Sequence, residues 1–205
     1  AGKQLPVDDW YEDSDGNIQW TDYKSQAEMD MAGIDGKYLG EAVVLVHGRN
    51  KEKLGEDGTL TGKGAKPAQI TVYGVNNEDD IVVYCGLSVS SDPLKYSMVK
   101  SGDYKAFYQD MSTSPYGLKG GSLSYRIMNI DGSLRLPIEG GELNKQTNKN
   151  YMEHIFFHRT NLNGVATYSS QGCIIIDGNI NTLNNWKHVE AQLEKSSNIF
   201  FRITR

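Results

Sequence analysis

The chain has 205 residues, which is enough for one ordinary domain with a hydrophobic core of its own. Its 38% hydrophobic, 10% aromatic and 23% charged residues are typical of a soluble globular protein. The net charge of −5 argues against a general binder of nucleic-acid phosphates. No apolar run approaches the roughly 18 residues that a membrane-spanning helix needs, so no membrane span is expected.

The N-terminus and the cysteines give further indications of the kind of protein. The chain begins with Ala1, without Met or an apolar signal core, so we expect a processed or trimmed chain from which any export signal has been removed. The two cysteines, Cys85 and Cys173, are too few for a disulfide-rich scaffold. Cys-x-x-Cys is absent, so neither a thiol redox motif nor a usual zinc framework is expected.

Residues 1–40 differ in character from the rest and are predicted to form an N-terminal arm or a small subdomain. The stretch Asp8–Asn17 is acidic and rich in turn formers, and Lys24–Met31 is a short helix candidate that ends before Gly33. Asp13–Gly16 contains the residue types of a calcium loop, but no bidentate Glu follows in register. A solvated turn is therefore the prediction there.

From residue 41 to residue 205 the pattern predicts one β-rich domain with a single long helix. Leu183, Trp186, Val189 and Leu193 recur on one helical face after Thr182. Asp131-Gly132 predicts a tight turn leading into another strand, Leu134–Ile138. The other predicted strands are Ala42–Val46, Ala68–Val75, Ile81–Val89, Tyr104–Tyr108, Leu123–Ile130, Ile155–His158, Cys173–Ile176 and Ile199–Ile203. The fold class is thus mostly β, a β-sandwich or barrel-like domain with one C-terminal packing helix.

His154 and His158 are spaced as two zinc ligands on one helix would be, yet the residues between them favour a strand. Over four residues a strand extends about 13 Å, at about 3.3 Å per residue, so both imidazoles cannot reach one ion. No metal site is predicted.

A nucleophile and a base are the stronger interpretation. An apolar strand ends at His158, and Gly172 leads into Cys173 at the start of another apolar strand. A thiol attacks as its thiolate, and a neighbouring histidine can take the proton and form an ion pair with it. Gly172 permits a sharp turn that brings amide N–H groups near the sulfur, where they can hold an oxyanion, and Ser170 can hydrogen-bond across that turn. The alternative is that both residues are buried and inert, as is predicted for Cys85 within Ile81–Cys85.

The segment His158…Ser170-Gln171-Gly172-Cys173-Ile174 resembles the signature of L,D-transpeptidase (YkuD-like) catalytic domains. The resemblance covers residues 81–205 and implies a β-sandwich that carries a helix. It further implies that Cys173 is the nucleophile and His158 its base. The residues that would shape the turn and the oxyanion hole are Ser170, Gln171 and Gly172. The chain departs from the family pattern at three positions, where Gln171 replaces His, Arg159 replaces Gly, and Ile175 replaces Arg or Asn.

The resemblance implies a reaction on peptidoglycan stem peptides. The Cys173 thiolate would attack the carbonyl of the third stem residue, the terminal D-residue would leave, and the thioester would pass to an amine or to water. The enzyme would thus be a transpeptidase or a carboxypeptidase, would need no cofactor, and would act in the periplasm or outside a bacterium. Three residues near the motif are candidates for substrate binding through a stem carboxylate: Arg159, Arg126 and Tyr125. The alternative for the two arginines is a solvated surface charge.

Two further expectations concern biological role. The gap between His158 and Cys173 is shorter than in typical members and resembles antibacterial effectors. Residues 1–80 resemble leader segments of polymorphic toxins, which implies a cognate immunity or delivery protein as a partner. The alternative function is a non-catalytic surface binding or interaction module with a buried Cys173. Rapid alkylation of Cys173 at neutral pH would favour the enzyme.

Overall fold

The computed structural model describes eleven segments of the chain. They are residues 10–12, 18–20, 41–47, 68–74, 81–87, 95–110, 123–159, 172–176, 182–194, 196 and 198–204. The strands within them are β1 (Trp10–Glu12), β2 (Ile18–Trp20), β3 (Ala42–His47), β4 (Ala68–Tyr73), β5 (Ile81–Leu87), β6 (Gly102–Asp110), β7 (Leu123–Asn129), β8 (Phe156–Arg159), β9 (Ile174–Ile176) and β10 (Ile199–Thr204). The helix α1 (Thr182–Leu193) lies between β9 and β10.

Strands β3 to β10 form one strongly curled mixed sheet that closes into a ring, in the order β10-β3-β4-β5-β9-β8-β7-β6. The pairs β10–β3 and β8–β9 are parallel, and the other pairs of the ring are antiparallel. The prediction of a mostly β domain with one C-terminal helix is confirmed for the described part of the chain. Of the two architectures expected, the strand pairing corresponds to the barrel-like one.

The inner face of the sheet, defined here as the face that carries Phe157 and Phe201, holds the main core. The rings of these two residues are 5.5 Å apart and meet edge to face. Trp186 of α1 packs on Phe157 at 5.3 Å, and Val189 and Leu193 follow it on the same helical face, as the periodicity predicted. Full burial of such side chains stabilises the fold by about 1.5–3 kcal/mol each. The helix is therefore held by the inner face of the sheet.

The outer face carries the alternate residues of each strand. A second apolar cluster lies on it, made by Val43, Leu45, Tyr73 and Phe200. On β8 the alternation puts Phe156 and His158 on the outer face, because Phe157 lies on the inner one. All four residues of β8 are buried. Both faces of this strand are thus covered.

The connection from β7 to β8 corrects one prediction. The tight turn forms, with Gly132 at φ 88° and Asn129 N–H donating to Ser133 O at 2.9 Å. The predicted strand Leu134–Ile138 does not pair with β7. It makes only isolated bridges, between Leu136 and Met152 and between Val99 and Ile138. The side chain of Asn129 donates to Arg135 O at 2.8 Å, which ties the backbone after the turn in a bend instead of an extended ladder.

Strands β1 and β2 form a separate antiparallel pair in which Trp10 faces Trp20 across the register. They lie within the stretch predicted as an arm or subdomain. The predicted turn at Asp13–Gly16 and the helix candidate Lys24–Met31 lie outside the described residues. Among the residues that the structure describes, no helix is long and apolar enough to cross a membrane.

Candidate active site

Gly172 adopts a conformation and a packing that favour glycine alone. Its φ is 123°, a region that residues with a side chain rarely enter. A Cβ at this position would lie 2.9 Å from Met152 Cε and 3.2 Å from the carbonyl oxygen of Ser97. The glycine lets the backbone turn tightly into Cys173, which directly precedes β9.

Replacing Gly172 with alanine is therefore expected to destabilise the protein, by roughly 1–3 kcal/mol for the backbone conformation and more for the crowding. Chemical unfolding monitored by fluorescence would measure the loss. Gly132→Ala is the matched control, because Gly132 has a φ of 88° but no atom within 4 Å of the added Cβ. Equal losses in the two variants would contradict the close packing around Gly172.

The parallel pairing of β8 with β9 brings Cys173 and His158 to one face of the sheet. The register pairs His158 with Ile175, and Phe157 with Ile174. One residue earlier, Cys173 comes beside Phe156, and its thiol hydrogen-bonds to the Phe156 backbone. Residues in register share a face, so Cys173 and His158 both belong to the outer face, diagonally across neighbouring strands. This geometry separates their Cα atoms by about 8 Å, from a 4.8 Å strand spacing and two residues of rise.

His158 is oriented by the backbone. Its Nδ1 lies 2.5 Å from the carbonyl oxygen of Arg159. A carbonyl only accepts hydrogen bonds, so Nδ1 carries the proton and Nε2 has a lone pair available. Burial and the charge of Arg159 lower the pKa of His158 to about 4, against the opposing effect of the carbonyl. The imidazole is therefore neutral at pH 7 and can act as a base through Nε2.

Cys173 as a residue is partly exposed, whereas its sulfur is buried. Burial of its sulfur raises the pKa of the thiol to about 11, while the hydrogen bond from the Phe156 backbone works in the opposite direction. Because the thiol pKa lies above that of His158, the proton stays on sulfur in the resting protein. The thiolate–imidazolium ion pair expected from the sequence would require the pKa of the thiol to lie below that of the imidazole. The ion pair is therefore not the favoured state of this site. Desolvation, which penalises both charged forms, is the reason.

Two of the predicted substrate-binding residues, Arg159 and Tyr125, lie on the inner face of the sheet, opposite to the face of Cys173 and His158. Arg159 follows His158 on β8, so it is on the inner face, where it is only 5% exposed. Its positive charge interacts electrostatically with the carboxylate of Glu190 of α1. The same carboxylate accepts a hydrogen bond from Trp186 Nε1 at 2.8 Å. Tyr125 is also on the inner face, 6.1 Å from Trp186 between ring centroids. The structure therefore does not bring Arg159 and Tyr125 together with Cys173 and His158, and Arg159 is not a solvated charge either.

Arg126 lies on the same outer face as the cysteine and the histidine. It is paired in register with Phe107 of β6 and Phe156 of β8. Its Nη1 donates to Gln109 Oε1 at 3.4 Å. Two residues earlier on the same face is Ser124, a fully buried residue that the sequence analysis missed. The alternation Ser124-Tyr125-Arg126 was the available signal, since it sets the serine and the arginine on one face.

Other predicted site residues are placed as follows. Ser170 and Gln171 lie outside the described residues, so their roles in the oxyanion hole stay predictions. Cys85 lies within β5 opposite Gln69, a strand position as predicted. Among the described residues no group of three or more His, Cys, Asp or Glu side chains is arranged to hold a metal ion.

No family model, no curated protein and no solved structure matches this chain. Its function has to be inferred from its own residues.

Proposed function

We propose that the protein is a cysteine-dependent acyltransferase of the L,D-transpeptidase type, acting on peptidoglycan stem peptides through a thioester. The observation that carries the proposal is the arrangement of His158 and Cys173. The imidazole is fixed by the Arg159 carbonyl so that Nε2 can accept a proton, and the thiol lies on the same face of the neighbouring parallel strand. The same orientation by a carbonyl or carboxylate is what a histidine base requires.

The two pKa values favour general-base catalysis over a preformed ion pair. As the Cys173 sulfur bonds to the scissile carbonyl carbon, its proton passes to Nε2 of His158. Amide N–H groups at the turn around Gly172 would stabilise the negative charge on the former carbonyl oxygen. Collapse of this intermediate breaks the C–N bond, and His158 returns the proton to the departing amine. The resulting thioester is then attacked by an amine or by water, again with His158 as the base.

The wider role follows from the same proposal. Stem peptides are present in the bacterial cell envelope, so the protein would act in the periplasm or after secretion. Use against the wall of a competitor would make it an antibacterial effector with an immunity or delivery protein as partner. No residue of the proposed chemistry needs a cofactor, because each proton and bond change is handled by Cys173 and His158.

Incubation with purified muropeptides tests the proposal. We expect mass spectrometry to show loss of the terminal D-residue, through hydrolysis, exchange or cross-linking, because each is a fate of the same thioester. The product masses also identify the acceptor. Unchanged muropeptides with correctly folded protein would contradict the function.

A non-catalytic binding or interaction module is the second candidate, and the burial of the Cys173 sulfur favours it. A thiol with a pKa raised to about 11 is nearly all protonated at pH 7, as an inert core cysteine would be. Slow alkylation at neutral pH thus does not distinguish the two candidates in this protein. Turnover of muropeptides does.

Alkylation nevertheless tests the electrostatics of the site. In a Cys85→Ser protein, the rate of Cys173 modification by iodoacetamide is expected to rise about tenfold per pH unit from pH 7 to 10, because the thiolate fraction does so below its pKa. Mass spectrometry of the modified peptide would measure it. A rate that is already maximal near pH 8 would show a preformed ion pair and contradict the raised pKa.

A further inference from the structure

Two buried hydrogen-bond donors lie side by side on the outer face of β7. The Ser124 side chain is 0% exposed, and neither its Oγ nor the buried Nε of Arg126 has a hydrogen-bond partner among the described residues. Nearly all buried polar groups in folded proteins are paired, so two such groups on one face indicate that an acceptor is missing. Their Cα atoms are about 6.7 Å apart, two residues along a strand.

These donors are next to the proposed catalytic pair. Ile127 N–H donates to Ile155 O at 2.8 Å, so Arg126 and Phe156 form a narrow pair in which side chains are close. The register continued by one residue sets Ser124 opposite His158, again as a narrow pair. Cys173 flanks Phe156 on the other side, so Arg126 and Cys173 are two strand spacings apart, about 9.6 Å.

We propose that Arg126 and Ser124 form a carboxylate-binding site that holds the free C-terminal carboxylate of the donor peptide. A carboxylate only accepts hydrogen bonds, and it fits the planar edge that Arg126 offers through Nε and Nη2 while Nη1 contacts Gln109. The Ser124 hydroxyl supplies a third donor. No described acidic side chain hydrogen-bonds or forms an ion pair with Arg126 in place of the ligand.

The position of this site links it to the donor peptide. The Cα atoms of Arg126 and Cys173 are about 9.6 Å apart, two strand spacings, so a peptide held by its carboxylate at Arg126 can reach the thiol within a few residues. That the carboxylate belongs to the donor peptide rests on the proposed function, whereas the binding of a carboxylate does not.

The test uses the full chain with Cys173→Ala, which cannot turn over its ligand. Calorimetry would compare a tetrapeptide stem that has a free terminal carboxylate with the same stem amidated there. We expect the acid to bind at least about tenfold more tightly than the amide, since a charge-assisted contact is lost in the amide. Equal affinities would overturn the proposal without the need for any variant of Arg126.

Additional substitutions then assign the preference to residues. Arg126→Ala should abolish the preference for the acid over the amide. Arg126→Lys should keep only part of this preference, because lysine lacks the planar edge, and Ser124→Ala should reduce the preference a few-fold. Arg135→Ala is the matched control, because Arg135 is exposed and its guanidinium stacks on Tyr151. An undiminished preference in a folded Arg126→Ala or Arg126→Lys protein would also overturn the proposal. Preference for the acid without muropeptide turnover by the wild type would support this site and contradict the acyl transfer instead.

Discussion

Cys173→Ala is expected to lower the formation of muropeptide products by on the order of 10⁶-fold, the loss seen when a covalent nucleophile is removed. In the proposed mechanism the sulfur forms the thioester, and the other cysteine of the chain, Cys85, lies in β5, which is not adjacent to β8. The substitution removes a single heavy atom, the sulfur, and should leave the fold intact. Product masses over time, with circular dichroism of both proteins, measure the two parts of the expectation.

Cys85→Ser is the matched control for this prediction. Cys85 lies within β5, two strands from β8 around the ring, and is expected to be dispensable for turnover. A wild-type rate in the Cys173→Ala protein would exclude the thioester mechanism. Loss of activity in a folded Cys85→Ser protein would indicate that Cys85 in β5 is needed for turnover.

His158→Ala is expected to lower kcat/KM by about 10²–10⁴-fold, the usual contribution of a positioned general base. The pH dependence gives a sharper signature. Burial holds the pKa of His158 down to about 4, so the basic form is present above that pH and is lost as pH falls through it. The acid limb of kcat/KM in the wild type should therefore lie near pH 4, well below the pH of about 6.5 expected for an ordinary histidine.

The control for the histidine is His188→Ala, because His188 is exposed on α1 and alanine is favoured in a helix. This substitution should change neither kcat/KM nor the pH of its acid limb. Rates measured from pH 3 to pH 8 on a muropeptide substrate would test both variants. An acid limb near pH 6.5 that persists in the His158→Ala protein would contradict the assignment of His158 as the base.

Local features of this protein were predictable from its sequence because their causes are local. The apolar spacing of Trp186, Val189 and Leu193 predicts α1 whatever it packs against. Runs of β-branched and aromatic residues predict the strands, and the positive φ that Asp131-Gly132 permits predicts the turn after β7. Gly172 was predictable for the same reason, since a tight turn before Cys173 requires a residue without a side chain.

The choice of face for each residue of β8 was not predictable. Phe156 to Arg159 are all buried, so no polar–apolar alternation indicates which side chains point inward. Only the packing of Phe157 on Trp186 and Phe201 shows that Arg159 lies under α1 and that His158 faces outward. The same parity makes Arg126, not Arg159, the neighbour of the proposed catalytic pair.

Sequence alone determined the type of most elements, the glycine at the turn and the candidates for nucleophile and base. The tertiary structure decided how these parts meet. The ring closes through β10, whose partners β3 and β6 lie far from it in the chain, and long-range pairing of this kind leaves no local signal. It also decided the protonation of the site. Cys173 and His158 remain neutral because the packed sheet removes water from both, and desolvation depends on neighbours that only the folded chain supplies.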